Sequence, residues 1–127
     1  HVNGWLASLL PIYLKEFYKN EPLFSESKIV TSVYNQSFDG TLDKNMVNKV
    51  KFDNIPAESI NVLENPTYVN LMKVAIDYSD ALIKGSSEIP KELESYLETS
   101  NKPVLEYYSM NDFPEPYTEF YKTKVLI

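Results

Sequence analysis

The residues best placed for chemistry follow a short run of β-branched residues. Residues 28–33 have the composition of a buried strand, and a turn-rich loop that begins with Tyr34 and Asn35 and ends at Gly40 comes directly after them. In an open α/β sheet, ligands bind just beyond the carboxyl ends of the strands. Tyr34 and Asn35 are therefore candidates for hydrogen bonding to a ligand, although Asn35 could instead bond to the backbone of its own turn.

A second candidate loop follows the short apolar run of residues 81–83, which we interpret as another strand. The loop contains Gly85, Ser86 and Ser87 and leads into a helical pattern. Serine side chains at a helix N-terminus can hold an anion such as phosphate, or they can simply cap the helix. Both interpretations stay open for Ser86 and Ser87.

Two further candidates stand at the start of the sequence. Trp5 could stack on a sugar ring, or it could anchor the first helix on the sheet. His1 could act as a general acid or a sugar ligand, or it could lie frayed at the end of the chain. Eighteen acidic residues provide no carboxylate pair at a recognisable catalytic spacing, and three scattered glycines cannot form a standard phosphate loop. The sequence therefore gives no catalytic residue.

Composition excludes several classes of function. A net charge of −6 over 127 residues argues against a nucleic-acid or anionic membrane partner, because both require clustered Lys and Arg. With no cysteine and one histidine, disulfides, thiolate metal sites and imidazole clusters are not expected, and we assign no metal and no cofactor. The sequence has neither an apolar run of about 20 residues nor a signal-peptide pattern, so we expect a cytoplasmic protein.

Strands and helices alternate in the patterns that must position these residues. The predicted first helix has Pro11 within it, and its apolar face consists of Leu6, Leu9, Leu10, Tyr13, Leu14 and Phe17. Asp43 is expected to cap the second helix, Ser87 to cap a later one, and Asp77 and Asp80 to be solvated. The predicted strands are 28–33, 81–83 and 104–108; the predicted helices are 4–18, 44–50, 65–79, 87–100 and one from about 117, with an irregular segment at 52–64 that contains one helical turn.

This alternation predicts an α/β fold: a Rossmann-like three-layer αβα domain with a small parallel sheet and right-handed crossovers. We expect residues 1–127 to be a single domain with three strands, the first helix having no strand before it. That gap suggests a fragment that lacks its N-terminal strands. A sheet left incomplete in this way has an exposed edge, which favours a homo-oligomer or strand exchange.

Three patches of the sequence resemble bacterial glycogen and starch synthases, which are two-domain glycosyltransferases of the GT-B type. Residues 1–15 are similar to the family segment His-x-His-Asp-Trp-His-Thr and its following helix with Pro and Tyr-Leu-Lys. Residues 31–40 are similar to Thr-x-His-Asn-x-x-Tyr-Gln-Gly, and residues 70–81 to Asn-x-x-Lys-x-Gly-Ile-x-x-Ala-Asp. The predicted strand 81–83 follows, and residues 85–89 after it are similar to the family's helix start Val-Ser-x-x-Tyr-Ala.

The resemblance implies part of the Rossmann-like N-terminal half domain, which carries the glucan acceptor and part of the sugar site. The family transfers glucose from ADP-glucose to the non-reducing end of an α-1,4-glucan with retention of configuration and without a metal. Carried over to this sequence, the resemblance implies substrate-binding roles for a set of residues at the matched positions: His1, Asn3, Trp5, Tyr34, Asn35 and Ser87.

The sequence also departs from the family. Leu6 and Tyr34 replace two family histidines, and the first of these contacts the donor sugar. Leucine can neither donate a hydrogen bond nor transfer a proton. The family's Lys-x-Gly-Gly loop is absent from this sequence, as are the glutamate and phosphate-binding Arg and Lys of the second domain. We therefore expect a short, single-domain relative that is inactive alone.

Two alternatives remain. One is a non-catalytic relative of the family that binds glucan or serves in assembly. The other is an unrelated α/β domain that matches by chance, which predicts that the three strands are not neighbours in a parallel sheet.

Overall fold

Four strands form one parallel sheet whose spatial order, β1-β2-β3-β4, follows the chain. The computed structural model describes residues 1–51 and 55–127. The strands are β1 (Val2–Asn3), β2 (Val30–Val33), β3 (Ala81–Lys84) and β4 (Val104–Leu105). The helices are α1 (Leu10–Ile12), α2 (Met46–Val50), α3 (Ala57–Ile60), α4 (Tyr68–Asp77), α5 (Lys91–Thr99) and α6 (Glu115–Phe120), with 3-10 turns at Trp5–Ala7 and Asn61–Glu64 and π-helical turns at Tyr13–Phe17 and Tyr121–Val125.

The sheet has four strands and not the predicted three. Strand β1 precedes the first helix, where no strand was predicted. It pairs with β2 in parallel register, Val2 opposite Thr31 and Asn3 opposite Ser32. Two residues are too few to produce a periodic pattern, which is why the sequence did not indicate this strand. The three predicted strands are neighbours in one parallel sheet, contrary to what a chance resemblance predicts.

Helices cover both faces of the sheet, which confirms the three-layer α/β prediction. Leu82 of β3 faces α4 and α5, where Met72 and Leu93 pack against it. Its neighbour Ile83 faces the other side and packs with Phe120 of α6. This alternation is the period of two that a strand imposes when both of its faces are buried. A separate apolar cluster around Ile12, Leu63 and Leu71 joins α1 to α4.

The predicted apolar face of the first helix is correct only in part, since Leu9 and Tyr13 pack against the apolar cluster around Ile12. Leu6 is 84% exposed, and Leu10 and Phe17 are also exposed, whereas Ile12 is fully buried. The chain first turns at Gly4, whose φ of +66° favours glycine, and α-helical geometry begins only at Leu10, so the expected start was too early. The following π-helical turn then changes the angle per residue, and a regular 3.6-residue pattern no longer identifies the buried side.

Both predicted helix caps are wrong, and α4 has a cap that was not predicted. Thr67 caps α4 as its hydroxyl accepts a hydrogen bond from the Asn70 N–H at 3.2 Å. Asp43 is not the N-cap of α2: Asn45 holds that position without a side-chain cap bond, and Asp43 Oδ1 accepts from the Asn45 N–H at 2.9 Å before the helix begins. Ser87 is not a cap, because α5 begins at Lys91, directly after Pro90. A proline at this boundary fixes φ and starts the helix later than the serine signal indicated.

The remaining predictions concern an irregular segment and two aspartates. Residues 52–54 of the predicted irregular segment lie outside the described residues, and the rest of that segment contains α3 and a 3-10 turn. Asp80 is not simply solvated: its Oδ2 accepts from the Ile29 N–H at 2.7 Å and pairs with Lys15 Nζ at 2.9 Å. Asp77 Oδ1 accepts a hydrogen bond from the Tyr96 hydroxyl. Within residues 1–51 and 55–127, no helix has the length and apolar character needed to cross a membrane.

Candidate functional site

All four parallel strands end at the same edge of the sheet, and this edge gathers the predicted loops. Backbone hydrogen bonds between neighbouring strands continue into the loops. The Gly4 N–H donates to Ser32 O at 3.1 Å, and the Gly85 N–H donates to Val33 O at 2.8 Å. The residues that follow the strands are therefore held in fixed relative positions. We call this region, formed by Asn3, Tyr34, Asn35, Gly85 and Ser86, the strand-end site.

Tyr34 is held at three points within the strand-end site. Its hydroxyl donates to Asn3 Oδ1 at 2.9 Å, and its carbonyl accepts a hydrogen bond from the Tyr68 hydroxyl. Its ring lies against the backbone of Gly85, where a Cβ atom would stand only 2.4 Å from Tyr34 Cε1. Any other residue at position 85 would displace the ring. The structure thus brings together Asn3 and Tyr34, which the sequence predicted separately.

Asn35 is joined to the second loop through Ser86. The Asn35 N–H donates to Ser86 Oγ at 3.0 Å, so Ser86 links the two loops and Ser87 does not. The Asn35 side chain is exposed, and its amide makes no hydrogen bond to any part of the chain that the structure describes. A free side-chain amide offers both a donor and an acceptor, the combination that suits a sugar hydroxyl.

Ser87 lies apart from these residues. It is exposed and lines a separate depression together with Glu88, Lys91 and Glu94. Two carboxylates beside it oppose the binding of an anion. The position therefore lacks the helix N-terminus that the anion-binding interpretation required.

Trp5 packs into the interior beside the strand-end site. Its ring meets the Phe38 ring edge-on with centroids 4.8 Å apart, and Phe38 in turn contacts Tyr68. Trp5 touches both apolar clusters on the α4 side of the sheet. This packing agrees with the anchoring interpretation, and stacking of the half-buried ring on a sugar stays a prediction.

His1 is held by both of its ring nitrogens on the opposite face of the sheet, the face covered by α6. Nε2 lies 2.7 Å from the buried Ser32 Oγ, and Nδ1 lies 2.8 Å from the Tyr121 hydroxyl. Burial raises the pKa of Tyr121, so its hydroxyl stays protonated at neutral pH. These contacts order His1, in contrast to the frayed terminus that the sequence left open.

Sequence reasoning missed a row of aromatic side chains beyond the ends of β3 and β4. Two neighbouring cavities of about 400 and about 600 Å³ share Phe113 and Tyr117 as walls. Tyr34, Tyr107 and Tyr108 line the first, and His1 and Tyr121 line the second. We call the two cavities together the aromatic groove. Its signal in the sequence is density, because four of the ten tyrosines fall within residues 107–121.

Charge around the strand-end site is mostly compensated. Lys84 at the end of β3 pairs with Glu106 at 3.0 Å and with Glu94 at 3.2 Å. The hydrogen bond that Lys84 donates to Glu106 is the largest of the effects that raise the pKa of Lys84. Among the described residues, no group of three or more His, Cys, Asp or Glu side chains is arranged to hold a metal ion.

Comparison with known proteins gives a consistent result. The family model for the starch synthase catalytic domain matches residues 1–103. The chain is 28% identical over 97 residues to a glycogen synthase of Thermosipho africanus and 30% identical over 97 residues to one of Thermotoga maritima, in each case over 75% of this chain and 19% of the relative. A glycogen synthase of Photobacterium profundum is 27% identical over 76% of the chain. No solved structure matches.

The extent of these matches matters for the site. The chain spans about one fifth of the length of the curated relatives it matches, their matched share being 19%. The strand-end site lies inside the matched residues 1–103. The groove residues Tyr107, Tyr108, Phe113, Tyr117 and Tyr121 lie beyond them.

Proposed function

Because the chain belongs to the family of starch synthase catalytic domains, we propose that it forms the sugar-binding part of a GT-B glycosyltransferase. The proposed activity of the natural protein is transfer of glucose from ADP-glucose to an α-1,4-glucan. In this proposal residues 1–127 are one Rossmann-like domain that is inactive alone, and transfer requires nucleotide contacts from a part of the natural protein outside this sequence. The match to only 19% of each relative's length supports that division.

The observation that carries the proposal is the gathering of matched residues at one sheet edge. Asn3, Tyr34 and Asn35 come from two separate matched segments, and hydrogen bonds fix them around a common point. The exposed amide of Asn35 and the hydroxyl of Tyr34 can bond to sugar hydroxyl groups. Polar groups that converge at strand ends are typical of small-molecule sites in parallel sheets.

Two departures from the family support the proposal that this chain alone transfers no glucose. Leu6 occupies the place of the histidine that contacts the donor sugar, and its side chain is 84% exposed and apolar. Tyr34 occupies the place of another histidine, and its hydroxyl already donates to Asn3. Neither group can shuttle a proton as imidazole does near neutral pH.

The same two residues favour a second candidate function, a relative that binds glucan without catalysis or serves in assembly. It retains the fold and the strand-end site while lacking the imidazole groups. The two functions differ in the ligand they require. A transferase must bind the nucleotide sugar, whereas a glucan-binding relative need not.

Isothermal titration calorimetry of the natural protein that contains this chain separates the two functions. ADP-glucose and maltoheptaose are titrated in separate runs, with ADP alone as the control for nucleotide contacts. Binding of both ligands is the result expected of a transferase. Binding of maltoheptaose alone indicates the non-catalytic relative, and binding of neither overturns both proposals of sugar binding.

A further inference from the structure

We propose that the aromatic groove binds a linear chain of pyranose rings that continues outward from the strand-end site. The inference rests on the proposed function, because it takes an oligosaccharide as the ligand, and it extends that function to residues outside the family match. The groove is built mainly from residues 107–126, whereas the matched residues end at 103.

The first argument is the chemistry of the walls. Tyr107 is 43%, Tyr108 41% and Phe113 56% exposed, although large rings are normally covered. Neighbouring exposed rings of this kind mark a binding surface. A pyranose ring has an apolar face of C–H groups and a rim of hydroxyls. A tyrosine ring face, with its negative quadrupole, attracts the C–H face, and its hydroxyl can bond to the rim.

The second argument is charge. Of the described side chains that line the two cavities, Lys122 is the one with a fixed charge. Burial, and the proximity of Tyr34 and Tyr107, raise the pKa of Tyr117, so its hydroxyl is neutral at physiological pH. A neutral polyhydroxy ligand fits such walls, while a nucleic acid would require a row of cations.

The third argument is continuity and size. Tyr34 belongs both to the strand-end site and to the first cavity, and Phe113 and Tyr117 separate the first cavity from the second. The volumes of about 400 and about 600 Å³ each fall in the range of roughly 300–1,000 Å³ for ligand pockets. Two such cavities in a row suit a ligand of several linked rings better than a single sugar.

A protein partner is the competing occupant of the groove, and the observations favour the saccharide. Five of the six Tyr and Phe side chains that line the two cavities are tyrosines, and one of them, Tyr34, connects the groove to a site of polar groups rather than to another apolar surface. A groove for apolar side chains would need no hydroxyl on each ring.

The test measures the affinity of the natural protein for maltoheptaose and for maltose by calorimetry, in wild type and in Phe113→Ala and Tyr117→Ala. Tyr18→Ala and Phe24→Ala, which remove exposed rings outside the groove, are the matched controls. We expect each groove variant to lose about tenfold in affinity for maltoheptaose, which corresponds to one ring contact of about 1.4 kcal/mol. The groove variants are expected to bind ADP-glucose with wild-type affinity. The two control variants are expected to bind maltoheptaose with wild-type affinity.

A reserve variant and a comparison of ligands allow each outcome of the test to be interpreted. Tyr107→Ser, at an exposed position, serves as a third groove variant if thermal unfolding shows that either alanine variant is unstable. Wild-type maltoheptaose affinity in all folded groove variants overturns the inference but leaves the proposed function standing. If wild type binds ADP-glucose but not maltoheptaose, the inference is overturned as well. If wild type binds neither ligand, the proposed function is overturned. Maltoheptaose binding no tighter than maltose binding also counts against a multi-ring groove.

Discussion

At the carboxyl edge of the sheet, the position of the Tyr34 ring depends on Gly85 being a glycine, which has no Cβ atom. The ring rests where a Cβ atom of residue 85 would stand, and its hydroxyl reaches Asn3 from there. One glycine thus aligns a residue of the strand-end site that also lines the aromatic groove. A substitution of Gly85 should therefore affect both the stability of the fold and the proposed ligand contacts of Tyr34.

Replacement of Gly85 by alanine tests this dependence. The added methyl group must push the Tyr34 ring aside, which breaks its bond to Asn3, and we expect a loss of about 1–3 kcal/mol in unfolding free energy. Urea denaturation measures the loss. In a Tyr34→Ala background the same Gly85→Ala change should cost much less, since the ring it displaces is gone. An equal cost in both backgrounds would show that the ring is not the obstacle.

Asp80 provides a pH-dependent prediction at the residue scale. Burial raises the pKa of Asp80, but hydrogen bonds from Lys15 and from the Ile29 N–H, with the Lys15 charge, outweigh it and leave the pKa below its ordinary value. A lowered pKa in the folded state stabilises the protein above the unfolded pKa of about 3.9, and this contribution disappears as the pH falls through the folded pKa.

Asp80→Asn should therefore cost about 1.5–3 kcal/mol at neutral pH, and the difference from wild type should shrink toward about pH 3. Urea unfolding at a series of pH values measures it, with Glu119→Gln as a control for loss of an exposed carboxylate. A difference that stays constant from neutral to acidic pH would rule out the ionised carboxylate as its source.

At the scale of elements, the carboxyl end of α4 depends on a residue from another part of the chain. Lys102 Nζ donates to the carbonyls of Ile76 and Asp77, the last residues of the helix. The Ile76 carbonyl also accepts from the Ser79 N–H at 3.2 Å, and an ammonium group favours the negative end of the helix dipole. Lys102 thus connects the turn before β4 to the helix that covers the sheet.

Lys102→Met retains most of the side-chain volume and removes the donors. We expect it to lower the unfolding free energy by about 1–2 kcal/mol. Lys124→Met, at an exposed position near the end of the chain, is the matched control and should change stability little. Thermal unfolding followed by circular dichroism gives both values, and equal effects of the two substitutions would contradict a capping role.

Local signals predicted the elements whose own residues decide their structure. In α4, apolar residues such as Leu71 and Ile76 at helical spacing agree with the packing that the fold requires. Strand β1 depends instead on pairing with β2, and two residues carry no such signal. The buried side of the first helix depends on a π-helical turn, which the pattern of apolar residues does not reveal.

The site divides in the same way. Tyr34 and Asn35 were predicted because parallel strands place ligands at their carboxyl ends, a rule that follows from topology. The link from Asn35 to Ser86 rather than Ser87 depends on where α5 begins. The aromatic groove required the tertiary structure, since Tyr107 and Tyr117 lie on different segments that only the fold brings together.

At the scale of the whole molecule, the homo-oligomer expected from an incomplete sheet stays a prediction. Strands β1 and β4 form the two edges of the sheet among the described residues, and their outward backbone groups are the ones with which a second copy would pair. Sedimentation velocity of the natural protein over a wide concentration range measures self-association directly. The prediction is a sedimentation coefficient that rises with concentration, and a constant monomer value would contradict it.

Sugar binding at one edge of the sheet and in the adjoining groove is the central proposal for the whole molecule. Hydrogen–deuterium exchange of the natural protein, with and without saturating maltoheptaose, tests this most directly because bound ligand slows local opening. We expect protection in peptides that cover residues 33–38, 84–88 and 106–122, and none in residues 10–27. Exchange unchanged in the first three segments, or protection confined to residues 10–27, would contradict the account.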